Sequence, residues 1–339
     1  MSSAGFAHHG GRLGAARAAY SQAPQPWIDL STGINPKSYP APRARGATLN
    51  RLPDTGELSR LESVAAAAFG VGDPQRVVAT GGTEPALRLL PYVLRQKAAI
   101  VAGPTYGSHA DGWEKAGVPS RVVPDAELDG SIADQTALIV VNPNNPDGRL
   151  VGRDRLRQLH DAVASRGGVL VVDEAFAEVT PQASVADLAG TSVAEHLVVL
   201  RSFGKFYGLA GLRLGFVVGS PVVAARVRGV IGDWPVSVDA LAAGLVAYSD
   251  RQWTERMRVQ LASTARRLDG LLSRYGFEVV GGTSLYRLVR AADAATRFER
   301  LAAAGILTRP FQHDASLLRF GLPGTPEAWA RLEEALARL

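Results

Sequence analysis

One lysine of this chain stands in a setting that suits amine chemistry. Lys205 lies among small residues in the segment RSFGKFYG (residues 201–208), and Arg213 follows eight positions later in a glycine-rich stretch. Only four of the 37 basic residues are lysines, so most basic positions carry arginine. Lysine amines form Schiff bases with carbonyls, most commonly with the aldehyde of pyridoxal 5'-phosphate. A solvated lysine in a surface loop is the alternative, and the spacing alone does not exclude it.

A carboxylate stands where a buried strand is expected to end. Asp173 follows the apolar run Val169–Val172, and ligands of open parallel sheets bind at the carboxyl ends of strands. A carboxylate there can hold a pyridine nitrogen in its protonated form, which keeps the ring an electron acceptor. Asp173 could instead cap the next helix or bind Mg²⁺ together with Glu174, as in nucleotide hydrolases. The hydrolase interpretation lacks its Gly-x-x-x-x-Gly-Lys-Ser/Thr loop.

Three further loops follow predicted strands. Residues 81–85 (GGTEP) offer backbone N–H groups and a hydroxyl at a helix start, which suits a phosphate, although plain helix capping explains them equally well. Residues 103–107 (GPTYG) present Tyr106, which suits stacking on a planar ring or packing in the core. Residues 142–148 (NPNNPDG) contain two Asn-Pro steps, which impose a non-helical turn and fix amide side chains.

Short apolar runs alternate with amphipathic stretches over the first two thirds of the chain. The predicted strands are Arg76–Thr80, Ala98–Ala102, Arg121–Val123, Ala137–Val141, Val169–Asp173, Leu197–Arg201 and Leu214–Val218. The predicted helices between them are Glu57–Phe69, Glu84–Leu94, Ser108–Ala116 and Arg153–Ser165. This alternation indicates an α/β fold with a mainly parallel, buried sheet.

The order of predicted elements changes after about Trp234. A long helical pattern, Arg251–Tyr275, is followed there by mixed strands and helices. We therefore predict three segments. Residues 1–45 form an irregular N-terminal segment that packs with the small domain and the active site. Residues 46–234 form a large cofactor-binding domain, and residues 235–339 form a small α+β domain.

Composition narrows the class of protein. The chain has 339 residues, no cysteine and 46% hydrophobic residues, so a disulfide scaffold and a thiolate metal site are excluded. Its first residues lack the charged-then-apolar order of a signal peptide, and no apolar run reaches membrane length; we expect a cytoplasmic protein without a membrane partner. The net charge of +5 comes from scattered arginines without a basic block, which favours anionic small ligands over nucleic acid.

Taken together in chain order, these motifs resemble those of a known family. Gly-Gly-Thr, Pro-Thr-Tyr, Asn-Pro-x-Asn-Pro-x-Gly, Asp-Glu-Ala and Ser-x-x-Lys followed by Gly-Leu-Arg-x-Gly resemble the fold-type-I pyridoxal-phosphate enzymes. The most similar groups are the histidinol-phosphate aminotransferases and the threonine-phosphate decarboxylases of cobalamin biosynthesis. The resemblance spans nearly the whole chain and implies a homodimer with a large and a small domain.

The resemblance also implies roles for individual residues. Lys205 would form the Schiff base with pyridoxal 5'-phosphate, and Asp173 would pair with its pyridine nitrogen. The remaining cofactor contacts would be the phosphate ligands Gly82, Thr83, Ser202 and Arg213, the O3' partner Asn145 and the stacking residue Tyr106. For the substrate, Arg319 would clamp the α-carboxylate in a bidentate way. Gly33, His9, Arg12, Lys37 and Arg309 are the other candidate substrate residues, and Arg309 is favoured for the substrate phosphate.

Two regions favour the decarboxylase over the aminotransferase. Segments near both ends of the chain resemble those of threonine-phosphate decarboxylases. They are His9-Gly10-Gly11, Ile28–Pro36 and the stretches around Arg309 and Arg319. Phe176 also stands where the aminotransferases more often have a tyrosine. Leu52 departs from the pattern, because relatives commonly place there a tyrosine that reaches the partner subunit's cofactor phosphate.

The expected reaction is decarboxylation of L-threonine O-3-phosphate to (R)-1-amino-2-propanol O-2-phosphate. An aminotransferase acting on histidinol phosphate or a related amino-phosphate is the alternative, and a non-catalytic cofactor-binding assembly protein is a further one. Adjacent His8 and His9 without Cys or acidic partners do not indicate a metal site. The other histidines, His109, His160, His196 and His313, are expected to have structural or surface roles.

Overall fold

The computed structural model describes residues 3–6 and 9–339, and His8 lies outside this range. Two compact units make up the described chain. The smaller unit contains the described residues up to Ser38, residues 146–148 and Glu255–Leu339; the larger unit contains Tyr39–Asn145 and Arg149–Thr254. The three-segment division drawn from the sequence stays a prediction.

The secondary structure alternates as the sequence indicates. The strands are β1 (Ile28–Asp29), β2 (Val77–Thr80), β3 (Ala98–Gly103), β4 (Ser120–Pro124), β5 (Thr136–Val141), β6 (Val169–Glu174), β7 (Leu197–Ser202), β8 (Gly215–Val218), β9 (Glu278–Thr283), β10 (Tyr286–Arg290), β11 (Ile306–Leu307), β12 (Arg309–Pro310) and β13 (Leu317–Gly321). The α-helices are α1 (Leu13–Ala19), α2 (Thr55–Phe69), α3 (Thr83–Leu94), α4 (Ser108–Lys115), α5 (Leu128–Ser131), α6 (Arg153–Ala164), α7 (Phe203–Phe206), α8 (Pro221–Ile231), α9 (Val238–Ser249), α10 (Arg251–Arg274), α11 (Ala294–Ala303) and α12 (Pro326–Leu336). None of these helices is both long and apolar enough to span a membrane.

A seven-stranded sheet forms the centre of the larger unit. Its order is β2-β8-β7-β6-β5-β3-β4. The strands from β7 to β4 run parallel, and β8 runs antiparallel to both of its neighbours. Every residue of β5, β6 and β7 is buried, as expected for parallel strands that helices cover on both faces. The predicted α/β fold class is confirmed.

The register of this sheet aligns the strand ends that carry the sequence motifs. Asp173 near the end of β6 pairs with Val141 of β5 and Leu200 of β7. Ser202 at the end of β7 pairs with Gly215 at the start of β8, which also pairs with Thr80 of β2. Because the carboxyl ends of parallel strands share one edge, the loops after β2, β3, β5, β6 and β7 come together there.

The smaller unit is built on an antiparallel sheet of order β12-β13-β10-β9 and a short parallel pair of β1 with β11. Its longest helix, α10, buries one stripe of residues at helical spacing, from Met257 through Leu261 to Leu272, which is the pattern of a helix packed on a core. The prediction of an irregular N-terminal segment was wrong in part, since α1 and β1 lie in it. Helix α1 has seven residues, and helices this short depend on packing rather than on propensity.

Candidate active site

The carboxylate of Asp173 is buried and held by two hydrogen bonds. Its Oδ1 accepts from the backbone N–H of Ala175 at 3.0 Å. The helix-capping alternative is wrong, because the next helical turn, Ala177–Val179, has Phe176 as its N-cap. Asp173 Oδ2 lies 2.9 Å from His109 Nε2, and only 4% of Asp173 and 2% of His109 is exposed. A buried carboxyl group is costly unless it is hydrogen-bonded, so the contact with His109 stabilises Asp173 at the strand end.

His109 is the residue of this site that the sequence analysis missed. It lies in the first turn of α4, three residues after Tyr106, and we assigned it a structural or surface role. Helical spacing gave no signal for it, because Tyr106 precedes α4, whose N-cap is Gly107. Its partner lies 64 residues away in sequence, so only the register of the sheet brings the two together.

A cradle of backbone and side-chain donors forms where α3 begins. Gly82 has φ of 102° and is the N-cap of α3, which begins at Thr83. A Cβ on Gly82 would lie 2.8 Å from Arg213 Nη2, and a Cβ on Gly215 would lie 2.7 Å from the backbone nitrogen of Thr83. The positive φ favours glycine at position 82, and the approach of backbone atoms leaves no room for a Cβ at position 215. Ser202, paired with Gly215, brings a hydroxyl to the same place.

This cradle suits a phosphate monoester. Helix N-termini bind anions through their unpaired N–H groups and the helix dipole, and the guanidinium of Arg213 adds a full positive charge. Arg213 has φ of 57°, a left-handed conformation that is uncommon for residues other than glycine and that clusters at functional sites. The structure therefore places Gly82, Thr83 and Arg213 close together, with Ser202 one register pair away. Their role as phosphate ligands stays a prediction.

Lys205 lies three residues beyond Ser202, in the one-turn helix α7. Its side chain is partly buried, and Nζ lies 5.9 Å from the ring centroid of Phe176, which is itself buried. The surface-loop alternative for this lysine is therefore wrong. Behind it, Tyr207 stacks on Phe203 at 4.7 Å and on Trp253 at 5.6 Å between ring centroids, which gives the short helix a rigid aromatic base.

Tyr106 occupies the loop after β3. Its hydroxyl donates to Glu84 Oε2 at 3.0 Å, and its ring meets that of His109 edge-on at 6.2 Å. Burial and the nearby Glu84 carboxylate together raise the pKa of Tyr106 to about 12, against the opposing effect of a hydrogen bond with Ser108. The phenol therefore stays neutral at physiological pH, and its stacking on a cofactor ring stays a prediction.

The loop after β5 is fixed by its own amides. Asn142 donates to the carbonyl of Val151 at 3.0 Å and accepts from its N–H at 2.9 Å. Asn144 donates to the carbonyl of Pro104 at 3.0 Å and accepts from the Thr105 hydroxyl at 2.5 Å. These bonds join the loop after β5 to the loop after β3. Asn145 follows them and is buried, so its amide is held in one place.

A buried ion cluster supports the ends of β6 and β7 from the opposite side. Arg201 bonds Glu174 at 2.9 Å and Glu178 at 2.6 Å, and its guanidinium lies 4.4 Å from the ring centroid of Phe69. Burial raises the pKa of Glu174, although Arg201 and Ser184 act to lower it. Glu174 and Arg201 are register partners adjacent to Asp173 and Ser202. Side chains alternate across a strand, so this cluster and the site residues lie on opposite faces.

In the smaller unit, two buried arginines lie directly opposite each other. Arg309 of β12 and Arg319 of β13 are register partners, with exposures of 8% and 4%. Arg319 Nη2 donates to the Ser31 carbonyl at 2.7 Å, and its guanidinium lies 5.0 Å from the centroid of the Tyr286 ring. Like charges directly opposite on paired strands are destabilising. Planar guanidinium groups bind carboxylates and phosphates in a bidentate way, so these two arginines stay candidate substrate residues.

The other candidate substrate residues also lie in the smaller unit. His9 is partly buried and Gly33 is buried, whereas Arg12 and Lys37 are exposed. Arg12 Nη1 donates to the Gly5 carbonyl at 2.5 Å, which ties it to the N-terminal segment. Within residues 3–6 and 9–339, no group of three or more His, Cys, Asp or Glu side chains has the arrangement of a metal site.

The larger unit contains every group needed to hold pyridoxal 5'-phosphate. The cradle at Gly82 suits the phosphate, the buried carboxylate of Asp173 suits the pyridine nitrogen, and the amine of Lys205 suits the aldehyde. Tyr106 and Asn145 supply an aromatic face and an amide. The residues present therefore fit this cofactor.

Comparisons with known proteins agree with this geometry. Residues 25–339 match the model of the family "Aminotransferase class I and II". Threonine-phosphate decarboxylases of Pseudomonas aeruginosa and of a Sinorhizobium species are each 39% identical to this chain. The first similarity covers 97% of this chain and 96% of the relative, and the second covers 98% of each. The histidinol-phosphate aminotransferase of Aeromonas hydrophila is 32% identical over 84% of this chain and 82% of its own length.

Solved structures share the fold. The histidinol-phosphate aminotransferase of Sinorhizobium meliloti, in complex with pyridoxal-5'-phosphate, has a TM-score of 0.82 at 18% identity, covering 96% of this chain and 94% of that one. The L-threonine-O-3-phosphate decarboxylase of Porphyromonas gingivalis has a TM-score of 0.73 at 22% identity, covering 92% and 98%. Fold, site geometry and sequence agree, and the chain belongs to the class I and II aminotransferase family.

Proposed function

We propose that this protein decarboxylates L-threonine O-3-phosphate with pyridoxal 5'-phosphate as cofactor. The observation that carries the proposal is the 39% identity, over nearly the whole chain, to two threonine-phosphate decarboxylases. The histidinol-phosphate aminotransferases are more distant and match a shorter part of the chain. The proposed product is (R)-1-amino-2-propanol O-2-phosphate, an intermediate of cobalamin biosynthesis.

The larger unit supplies the cofactor site. When bound, pyridoxal phosphate supplies a protonated ring that accepts the electron pair of the broken bond. Asp173, oriented by His109, keeps the ring nitrogen protonated. Ser202, Thr83 and Arg213 hold the phosphate.

Lys205 would hold the aldehyde carbon of the cofactor through its amine. Its Nζ stands over the Phe176 ring, and a cation so placed is stabilised by the ring's negative face. This amine is our candidate for the group that returns a proton to the α-carbon. Tyr207 lies between Phe203 and Trp253, an enclosed position that makes it the less suitable proton donor.

L-Threonine O-3-phosphate carries two anionic groups, a carboxylate and a phosphate. Arg309 and Arg319, the substrate residues that the resemblance implies, are buried register partners in the smaller unit. We assign the carboxylate to Arg319 and the phosphate to Arg309. Planar guanidinium groups bind both kinds of anion in a bidentate way.

We further propose a cytoplasmic homodimer. Large apolar side chains stand exposed in the larger unit, among them Leu49 (59%), Leu52 (65%) and Trp234 (55%). Exposed apolar groups of this size suit a subunit interface. Sedimentation velocity on the holoprotein would support the dimer by a single species of twice the 35.8 kDa chain mass, and a monomer at micromolar concentration would refute it.

An aminotransferase acting on histidinol phosphate is the second candidate, because relatives with that activity in their names are 30–33% identical. Purified holoprotein should be incubated with each amino-phosphate, with and without 2-oxoglutarate, while CO₂ and glutamate are measured. CO₂ release that needs no 2-oxoacid supports the decarboxylase. Glutamate formation that depends on 2-oxoglutarate supports the aminotransferase, and the absence of any turnover supports a cofactor-binding assembly protein.

A further inference from the structure

A short segment of the smaller unit connects its two sheets at Arg319. Strand β1 pairs with β11, and the N–H of Leu30 donates to the carbonyl of Leu307 at 2.8 Å. On the other side, the N–H of Gly321 donates to the Leu30 carbonyl at 2.6 Å. Ser31 is therefore held between the sheets, where its carbonyl accepts from Arg319 Nη2 at 2.7 Å. Both residues are buried.

The N-terminal segment, residues 9–12, packs against the same serine. The N–H of Gly11 donates to Ser31 Oγ at 2.7 Å, and Ser31 Oγ donates to Asp29 Oδ1 at 2.5 Å. Asp29 Oδ1 also accepts from the backbone N–H of Ser31 at 2.9 Å. The side chain and the amide of Ser31 are thus both engaged, which fixes the direction of its carbonyl.

Gly10 sits against that carbonyl. A Cβ at Gly10 would lie 2.3 Å from the Ser31 oxygen and 2.9 Å from its carbonyl carbon. Backbone atoms cannot move aside as the end of a flexible side chain can, so any larger residue at position 10 must displace either the N-terminal segment or the carbonyl that contacts Arg319.

We propose that Gly10 and Ser31 are positioning residues for Arg319, and that the N-terminal segment thereby sets the orientation of the guanidinium that receives the substrate carboxylate. The inference rests on the proposed function and deepens it. A guanidinium has five N–H donors in a fixed plane, and the Ser31 carbonyl engages one of them. Bidentate binding of a carboxylate depends on the direction of that plane. A displacement of about 1 Å is enough to cost on the order of a hundredfold in such a site.

The test compares two glycines of the N-terminal region. Gly10→Ala should raise the KM for L-threonine O-3-phosphate by about tenfold or more, with a much smaller change in kcat. Gly14→Ala is the matched control, because Gly14 is exposed in α1 and a Cβ there meets nothing within 4 Å. It should have the KM of the wild type. The visible absorbance of the bound cofactor should be the same in all three proteins.

Binding of the product separates the carboxylate from the phosphate. The product has lost its carboxylate, so its inhibition constant should be unchanged in Gly10→Ala if Arg319 binds the carboxylate. An equal rise of substrate KM and product inhibition constant would overturn the proposal, because it would place the phosphate against Arg319. A wild-type KM in Gly10→Ala would also overturn it. If the wild-type protein shows neither turnover of L-threonine O-3-phosphate nor the visible absorbance of the bound cofactor, the proposed function itself is rejected.

Ser31→Ala keeps the proposal testable if Gly10→Ala fails to fold. This variant removes the hydroxyl that joins Gly11 to Asp29 but leaves the Ser31 carbonyl in the chain. A raised substrate KM with an unchanged product inhibition constant would support the positioning role. A folded Ser31→Ala protein with wild-type values of both would refute it.

Discussion

Replacing His109 with phenylalanine removes the only side chain that is hydrogen-bonded to the Asp173 carboxylate in the described residues. The bond is 2.9 Å long, and both partners are almost fully buried. A hydrogen bond to a charged group contributes about 1.5–3 kcal/mol, and about 1.4 kcal/mol corresponds to a factor of ten. We therefore expect kcat to fall by roughly tenfold to a hundredfold, together with weaker cofactor binding.

The assay for His109→Phe is CO₂ release under saturating substrate, with cofactor affinity measured by absorbance titration of the apoprotein. His109→Gln retains an N–H donor at similar reach and should recover part of the loss. The control is His160→Phe. His160 Nδ1 also lies 2.9 Å from a carboxylate, that of Asp161, but Asp161 is exposed on α6. This control should keep kcat. A His109→Phe protein with wild-type kcat and cofactor affinity would refute the positioning role of His109.

Four further outcomes follow from the same geometry. Lys205→Ala should abolish both turnover and the visible band of the lysine-bound cofactor; a variant that kept the band would contradict the role of the lysine. Gly82→Ala should weaken cofactor binding in absorbance titrations, because its Cβ would lie 2.8 Å from Arg213 Nη2, and unchanged affinity would reject the cradle. Arg201→Met leaves two buried carboxylates without their cation and should lower the free energy of unfolding in urea by about 3–5 kcal/mol; an unchanged unfolding midpoint would contradict this. Burial and the nearby Glu84 carboxylate together raise the pKa of Tyr106 from 10 to about 12, so the folded state keeps a proton that the unfolded state loses, and stability should fall as pH rises through this range. Tyr106→Phe should make the fall in stability between pH 10 and 12 shallower, and an unchanged slope would count against it.

Much of the larger unit could be predicted from the sequence, because its strands and loops are recognisable from short stretches of neighbouring residues. The apolar runs marked the strands of the central sheet, and the loops after them carried the residues that the register later brings together. Strand β6 illustrates this, since Val169–Val172 predicts a buried strand and Asp173 follows it. Helix α2 shows the limit for boundaries. It begins at Thr55, two residues before the predicted Glu57, because Asp54 caps it through the N–H groups of Gly56 and Glu57.

The contacts that the sequence did not reveal join residues far apart in the chain. His109 meets Asp173 across 64 positions, and Arg319 meets Ser31 across 288. Neither hydrophobic periodicity nor a sequence motif indicates such a pair. Each contact depends on which strands become neighbours in the sheet. Arg201 is a further case. It lies four residues before Lys205, yet its side chain faces away from the site and forms ion pairs with two buried glutamates.

The central claim is that the bond broken is the one to the carboxyl carbon. L-Threonine O-3-phosphate labelled with ¹³C at that carbon should be incubated with the holoprotein in D₂O without any 2-oxoacid. We predict one labelled CO₂ for each amine product, with the nitrogen retained and one deuterium on the former α-carbon. Label retained in a 2-oxoacid, with turnover that requires an added amino acceptor, would contradict it.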